Sequence, residues 1–186
     1  MGQNKNETAV DLLLEQHQQV RKLFTELKGA KGKKREEQFE MLVRLLAVHE
    51  TAEEEVIWPT VRTAVSGGDA LADARIKEEG KAKQALADLE KLGPKGKGFA
   101  DELKKFKQLV EDHADHEERE VFPKLRQSVD EGQLQSMAAA IKVAEAMAPT
   151  HPHPHGPNSA VGNMVVGPAV AIMDRTRDLI RDALRK

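Results

Sequence analysis

The chain has 186 residues, enough for one domain with a substantial core, and its 29 basic and 31 acidic residues leave a formal net charge of −2. That balance argues against nucleic acid or an anionic membrane as partner, and the absence of cysteine and tyrosine excludes thiol chemistry, zinc–thiolate and iron–sulfur sites and tyrosyl radicals. Met1 to Thr8 is polar rather than signal-like and no apolar run is long enough to span a bilayer, so a cytoplasmic protein is expected.

Ala, Leu, Glu, Lys and Gln dominate and period-two alternation is rare, which predicts an all-α chain. The first helix is expected from Thr8 to Lys28, followed by a turn at Gly29–Lys34. The second runs from Arg35 to Val65 and stops at Gly67-Gly68. The third runs from Asp69 to Leu92 before Gly93-Pro94, and the fourth from Phe99 to Val129. Pro59 and Pro123 each remove one backbone donor late in a long helix, so a kink is expected at both. A weaker helix follows at Gln133–Met147. The Pro/His-rich loop 149–157 cannot be helical, and a last amphipathic helix is expected from Pro168 to Leu184.

Helices two and four repeat: His49 to Pro59 aligns with His113 to Pro123 at an offset of 64, and helices one and three repeat more faintly at an offset of 62. Two duplicated helical hairpins make an antiparallel up-down four-helix bundle. The bundle is assigned to residues 1–130, and 131–186 to a helical tail whose Pro/His-rich loop lets it pack on the bundle or on a partner subunit. His151, His153 and His155 in that loop read as part of a stiff linker.

The apolar seams of this bundle are interrupted by groups foreign to a core. Helix one reads Val10, Leu13, His17, Val20, Phe24, Leu27, and helix two Phe39, Leu42, Leu46, His49, Glu53, Val56. Helix three reads Ala72, Ile76, Glu79, Ala82, Leu86, Leu89, and helix four Leu103, Phe106, Val110, His113, Glu117. Residues four apart share a face, so His49/Glu53 and His113/Glu117 each aim a nitrogen and a carboxylate inward together. Burying an unpaired carboxylate costs several kcal/mol. No lysine or arginine stands on the seams at these layers, so the expected counter-charge is a metal cluster held by His17, His49, Glu53, Glu79, His113 and Glu117. Glu50 is a further candidate ligand, and His116 is expected behind the ligands or facing solvent. Glu54 and Glu118 point beside the seam and are expected to be exposed or to pair helices. Trp58 and Phe122 read as core at the bundle end.

His17, His49-x3-Glu53 and His113-x3-Glu117, with the endings Ile57-Trp58-Pro59 and Val121-Phe122-Pro123, resemble the hemerythrin-like HHE cation-binding family over about residues 8 to 128. The Gly-Pro-rich ending resembles the tails of actinobacterial members. This resemblance implies a four-helix bundle around a non-haem di-iron centre whose glutamates bridge the two iron ions. Imidazole mixed with carboxylate oxygen suits iron, with manganese the substitute, and leaves at least one coordination position for a small molecule. In the family the third helix usually supplies histidine where this chain has Glu79; Glu78, one residue off the seam, is the alternative ligand, and Gly80 beside it suggests a close approach.

Two classes of function follow from the resemblance: catalase- or peroxidase-like turnover of peroxide, or non-enzymatic binding, storage or sensing of dioxygen, nitric oxide or iron. A carboxylate at position 79 adds negative charge, which stabilises ferric over ferrous iron and so favours peroxide turnover over reversible oxygen carriage. The chain is expected to be a monomer or a homodimer.

Overall fold

The computed structural model describes residues 7–147, 174–178 and 180–181, and all regular structure among them is helical. The 149–157 loop and the start of the expected last helix lie outside the described residues. Helix α1 (Ala9–Gly29) opens on a capping box: the Thr8 hydroxyl accepts from the Asp11 N–H at 3.2 Å and the Asp11 carboxylate accepts from the Thr8 N–H at 3.1 Å. Only Ala30 and Lys31 separate it from α2 (Gly32–Ala52), so the expected six-residue turn is shorter than the run of Gly and Lys suggests. The Arg35 guanidinium donates back to the Ala30 carbonyl at 2.8 Å and pins this connection.

Helix two continues through a π-helical turn (Glu53–Ile57) into α3 (Trp58–Ala64), and helix four repeats the device with α5 (Phe99–His116), a π-helical turn (Glu117–Val121) and α6 (Phe122–Ser128). Each expected kink is therefore a π-turn placed just before its proline. The N–H of Trp58 reaches the Glu53 carbonyl five residues back, as Phe122 does to Glu117, and Pro59 and Pro123 fall in the first turn that follows. Between these halves lies α4 (Gly68–Leu92). A Cβ at Gly68 would stand 2.0 Å from the Val61 carbonyl oxygen, and Gly93 ends the helix at φ 70°.

The hairpins α1/α2 and α4/α5 pack together into the four-helix bundle, with α3 on α4 and α1 on α5. A fifth helix, α7 (Glu131–Met147), lies against α1 and α2. Two apolar clusters fill the interior. One gathers Phe24, Leu42, Leu89 and Phe106; the other gathers Leu13, Ile57, Trp58, Phe122 and the α7 residues Leu134, Met137 and Ile141. The seam positions between them are the histidines and glutamates. Helical residues 174–178 and 180–181 lie on the same chain's bundle, with Ile180 fully buried and Arg177 and Arg181 paired to Glu55 in the first π-turn. Ile76, expected on the core seam, is 38% exposed, and a Cβ at Gly80 would meet no neighbouring atom within 4 Å, so neither packs as its pattern suggests. None of the described helices is long and apolar enough to cross a membrane.

Candidate metal centre

The six seam residues meet in one layer, and all six are buried, with Glu53, Glu79 and Glu117 fully so. Their donor atoms form two overlapping groups: His17, His49, Glu53 and Glu117 in one, Glu53, Glu79 and His113 in the other, each within 4.8 Å. Glu53 straddles the two, with Oε1 3.4 Å from His49 Nε2 and Oε2 3.8 Å from His113 Nε2. Glu117 does the same, with Oε2 3.3 Å from His17 Nε2 and Oε1 3.2 Å from His113 Nε2. The π-turns begin at these two glutamates, so the widened backbone sits where both carboxylates enter the layer.

None of the four oxygens of Glu53 and Glu117, nor Nε2 of His113, makes a hydrogen bond among the described residues. Orphaned buried acceptors each cost about 1–3 kcal/mol, and more when charged. His17 and His49 face each other through their Nε2 atoms at 3.2 Å. Their outer nitrogens are already engaged: His49 Nδ1 with Gln16 Oε1 at 2.7 Å, His17 Nδ1 with Glu118 Oε1 at 2.8 Å, and His113 Nδ1 with Glu78 at 3.4 Å. An Nδ1–H donating outward from each ring frees Nε2 to offer a lone pair to the layer, the arrangement that metal-ligating histidines use. Three imidazole nitrogens and four carboxylate oxygens crowded together fit a cation, and the chemistry of the set fits iron or manganese.

Several groups that support this layer stand off the seams. Gln16 turns its amide N–H toward Glu145 of α7 at 2.8 Å, which fixes its carbonyl oxygen toward His49. Glu118, expected to be exposed or to pair helices, does the latter: it holds His17 and is held in turn by Arg21 at 2.8 Å. Trp58 is core, as expected, but its indole N–H also donates to Glu79 Oε1 at 2.6 Å. The expectation that no basic group reaches the layer is overturned by Lys83: its ammonium lies 3.3 Å from Glu79 and 3.6 Å from Glu50 and contacts Glu54. A four-carbon stem lets a lysine one position off the seam place its charge in the interior. Between the two acidic candidates, Glu79 joins the converging donors while Glu78 sits behind His113 and His116. Glu50 is buried beside the layer but joins neither donor group, and His116 is 42% exposed and outside both.

Burial pushes His49 down to about 4, so it is neutral. Burial acts the same way on His113, but the Glu117 and Glu53 carboxylates outweigh it and push it up to about 12. Burial and the neighbouring Glu53 raise Glu79 to about 7 against the pull of Lys83. The metal-free layer therefore stores a proton on His113 near neutral pH, held there by Glu117 and Glu53. Metal and proton compete for the same lone pairs. Adding Mn²⁺ to chelator-stripped protein near pH 7 in weak buffer should release at least one proton per chain, and affinity should weaken as pH falls. Metal uptake with no acidification, followed by an indicator dye, would contradict this.

The profile of the hemerythrin HHE cation binding domain matches residues 8–125. A protein of Nostoc sp. named as a DNA nickase is 29% identical over 147 residues, 78% of this chain; the chain spans only 41% of that relative's length. An uncharacterised hemerythrin-like protein of Schizosaccharomyces pombe is 26% identical over 136 residues, covering 73% of this chain and 67% of the relative. The crystal structure of a hemerythrin HHE cation binding domain-containing protein from Mycobacterium kansasii superposes with a TM-score of 0.67 at 24% identity, covering 76% of this chain and 90% of that one, a likeness of fold.

Proposed function

The chain belongs to the hemerythrin HHE cation binding domain family, and from the geometry of its centre we propose that it is a non-haem di-iron protein that turns over peroxide. The single observation that carries the dinuclear reading is the way Glu53 and Glu117 each divide their two oxygens between the two donor groups. His17 and His49 would hold one ion and His113 and Glu79 the other. Manganese is the substitute metal. Iron bound there would supply the electrons exchanged with a small oxidant, so that two peroxides become two waters and one dioxygen.

The chain's own part is to admit only a small molecule and to bias the iron toward the ferric state. A cavity of about 10 Å³ borders the layer, walled by Val20, Leu46, Val110 and Ala114 and reaching His17, His49, Glu50 and His113. That space is about the size of one water, far too small for an organic substrate, so a small oxidant would have to reach into the layer itself. Three buried carboxylates, Glu53, Glu79 and Glu117, face a single lysine in the layer, Lys83, while burial pushes the Glu50 carboxyl well above the usual carboxylate range and so keeps it from adding a full charge. The excess of negative charge stabilises ferric iron and works against the persistent diferrous state that a reversible oxygen carrier requires. The apolar cavity wall favours a second reading, reversible binding of dioxygen or nitric oxide.

Aerobically purified protein should carry two irons per chain and absorb in the visible, and added peroxide should evolve one dioxygen for every two peroxides consumed. Metal analysis, an absorption spectrum and an oxygen electrode test this together. A di-iron protein that leaves peroxide untouched and binds nitric oxide reversibly would establish the second reading instead.

A further inference from the structure

The two halves of the bundle are related by the sequence repeat, and around the centre they differ in a coordinated way. In one half His17 presents its face to Phe122, the rings stacked 5.7 Å apart at 22°, while its Nδ1 engages Glu118, which Arg21 holds. The repeat places Glu79 at the position of His17, Trp58 at that of Phe122, Glu54 at that of Glu118 and Lys83 at that of Arg21. A carboxylate at 79 cannot donate to Glu54 as an imidazole donates to Glu118; two carboxylates would face each other there. Instead Lys83 reaches inward and contacts both, and the indole of Trp58 supplies an N–H to Glu79 where Phe122 supplies only a ring face. Both oxygens of Glu79 are thereby fixed, Oε1 by Trp58 and Oε2 by Lys83.

We propose that Trp58 and Lys83 are the positioning residues of Glu79, a matched set of three that makes the two metal positions chemically unequal. The inequality rests on the dinuclear reading given above; the matching of the three side chains does not. With the set in place, one position is nitrogen-rich (His17 and His49) and the other oxygen-rich (His113 and Glu79), and the oxygen-rich one favours the harder ion. Lys83 cancels the charge that Glu79 brings, and Trp58 orients the carboxylate without adding charge.

The test exchanges the set for its repeat counterparts. Glu79→His alone should lower the melting temperature of chelator-stripped protein, because the buried Trp58 N–H loses its acceptor and Lys83, still held by Glu54 and Glu50, is left facing an imidazole in place of a carboxylate. Adding Trp58→Phe and Lys83→Arg should recover most of the loss, a coupling that three independent changes do not show. In the iron-loaded protein, Mössbauer spectra should show two distinct doublets of equal area for the native chain and nearly coincident doublets for the triple variant. If Glu79→His does not accumulate, Glu79→Gln and Lys83→Met must show the same non-additivity between them. Simple additivity in melting, or Glu79→His spectra identical to those of the triple variant, overturns the proposal. Coupling in melting without any bound iron in the native chain leaves the matched set standing and removes the dinuclear reading.

Discussion

Replacing His49 and His113 together with alanine abolishes iron binding and the visible absorption with it. The two residues belong to different donor groups, so the double change takes one imidazole from each. What remains is His17 with Glu53, Glu79 and Glu117, too few nitrogens to hold either position and too many carboxylates to stay charged without a metal. The loss exceeds the ten- to hundred-fold that removing a supporting partner costs, since here the ligands themselves go. The helices should survive, because the apolar clusters on either side of the layer do not involve these two rings. Iron analysis beside circular dichroism reads the result. A folded double variant that still binds two irons would dismantle the ligand assignment.

The fold and the ligands are legible in the sequence for one physical reason: each ligand stands on an apolar stripe, spaced 3-4-3-4 on three of the helices. Around Glu79 the apolar spacing is 3-3, and there Ile76 is exposed and Arg75 takes the buried position. A charged group at a seam position is conspicuous, and His17, His49, Glu53, Glu79, His113 and Glu117 all announce themselves that way. The residues that stay hidden act from beside the stripe. Gln16 and Glu118 are immediate neighbours of His17 and Glu117 in sequence, and Lys83 is one position past Ala82; their polar ends reach the layer only through long side chains. Seam counting assigns such positions to solvent or to the pairing of helices, not to the support of a ligand. Trp58 satisfies the apolar stripe with its ring, so its indole N–H carries no separate signal. Pro59 and Pro123 do signal a disturbed helix, but a missing donor says where the ladder breaks and not that the turn before it widens to five residues. The internal repeat holds one more clue: aligning His17 with Glu79 also aligns Arg21 with Lys83, which points to a basic group near the layer.

Lys83 also bears on the choice between turnover and carriage. Read from the sequence, Glu79 adds one uncompensated charge to the centre; in the structure its charge is largely met by Lys83, itself tied to Glu54, which Arg177 also holds at 3.1 Å. The bias toward ferric iron therefore comes from the straddling carboxylates Glu53 and Glu117 rather than from Glu79 alone.

Stripping the metal should lower the melting temperature by roughly 8–16 °C, and restoring it should return the native value. An ion that binds only the folded chain stabilises it by about 4 kcal/mol when its free concentration is a thousand times its dissociation constant, and each kcal/mol moves the midpoint of a chain this size by about 2–4 °C. The physical source is the layer itself. Without a cation the oxygens of Glu53 and Glu117 have no hydrogen-bond partner among the described residues, and Lys83 and the proton on His113 are left to balance Glu53, Glu79 and Glu117. The apolar clusters above and below keep the chain folded, so the stripped protein should melt cooperatively at the lower temperature rather than lose its helices at once. Scanning calorimetry with chelator, and again after adding back Fe²⁺ without oxygen, measures the shift. The His49→Ala/His113→Ala variant is the control, and its midpoint should not respond to metal. An unchanged midpoint in the native chain, or an equal rise in the control, would place the bound cation somewhere other than between these helices.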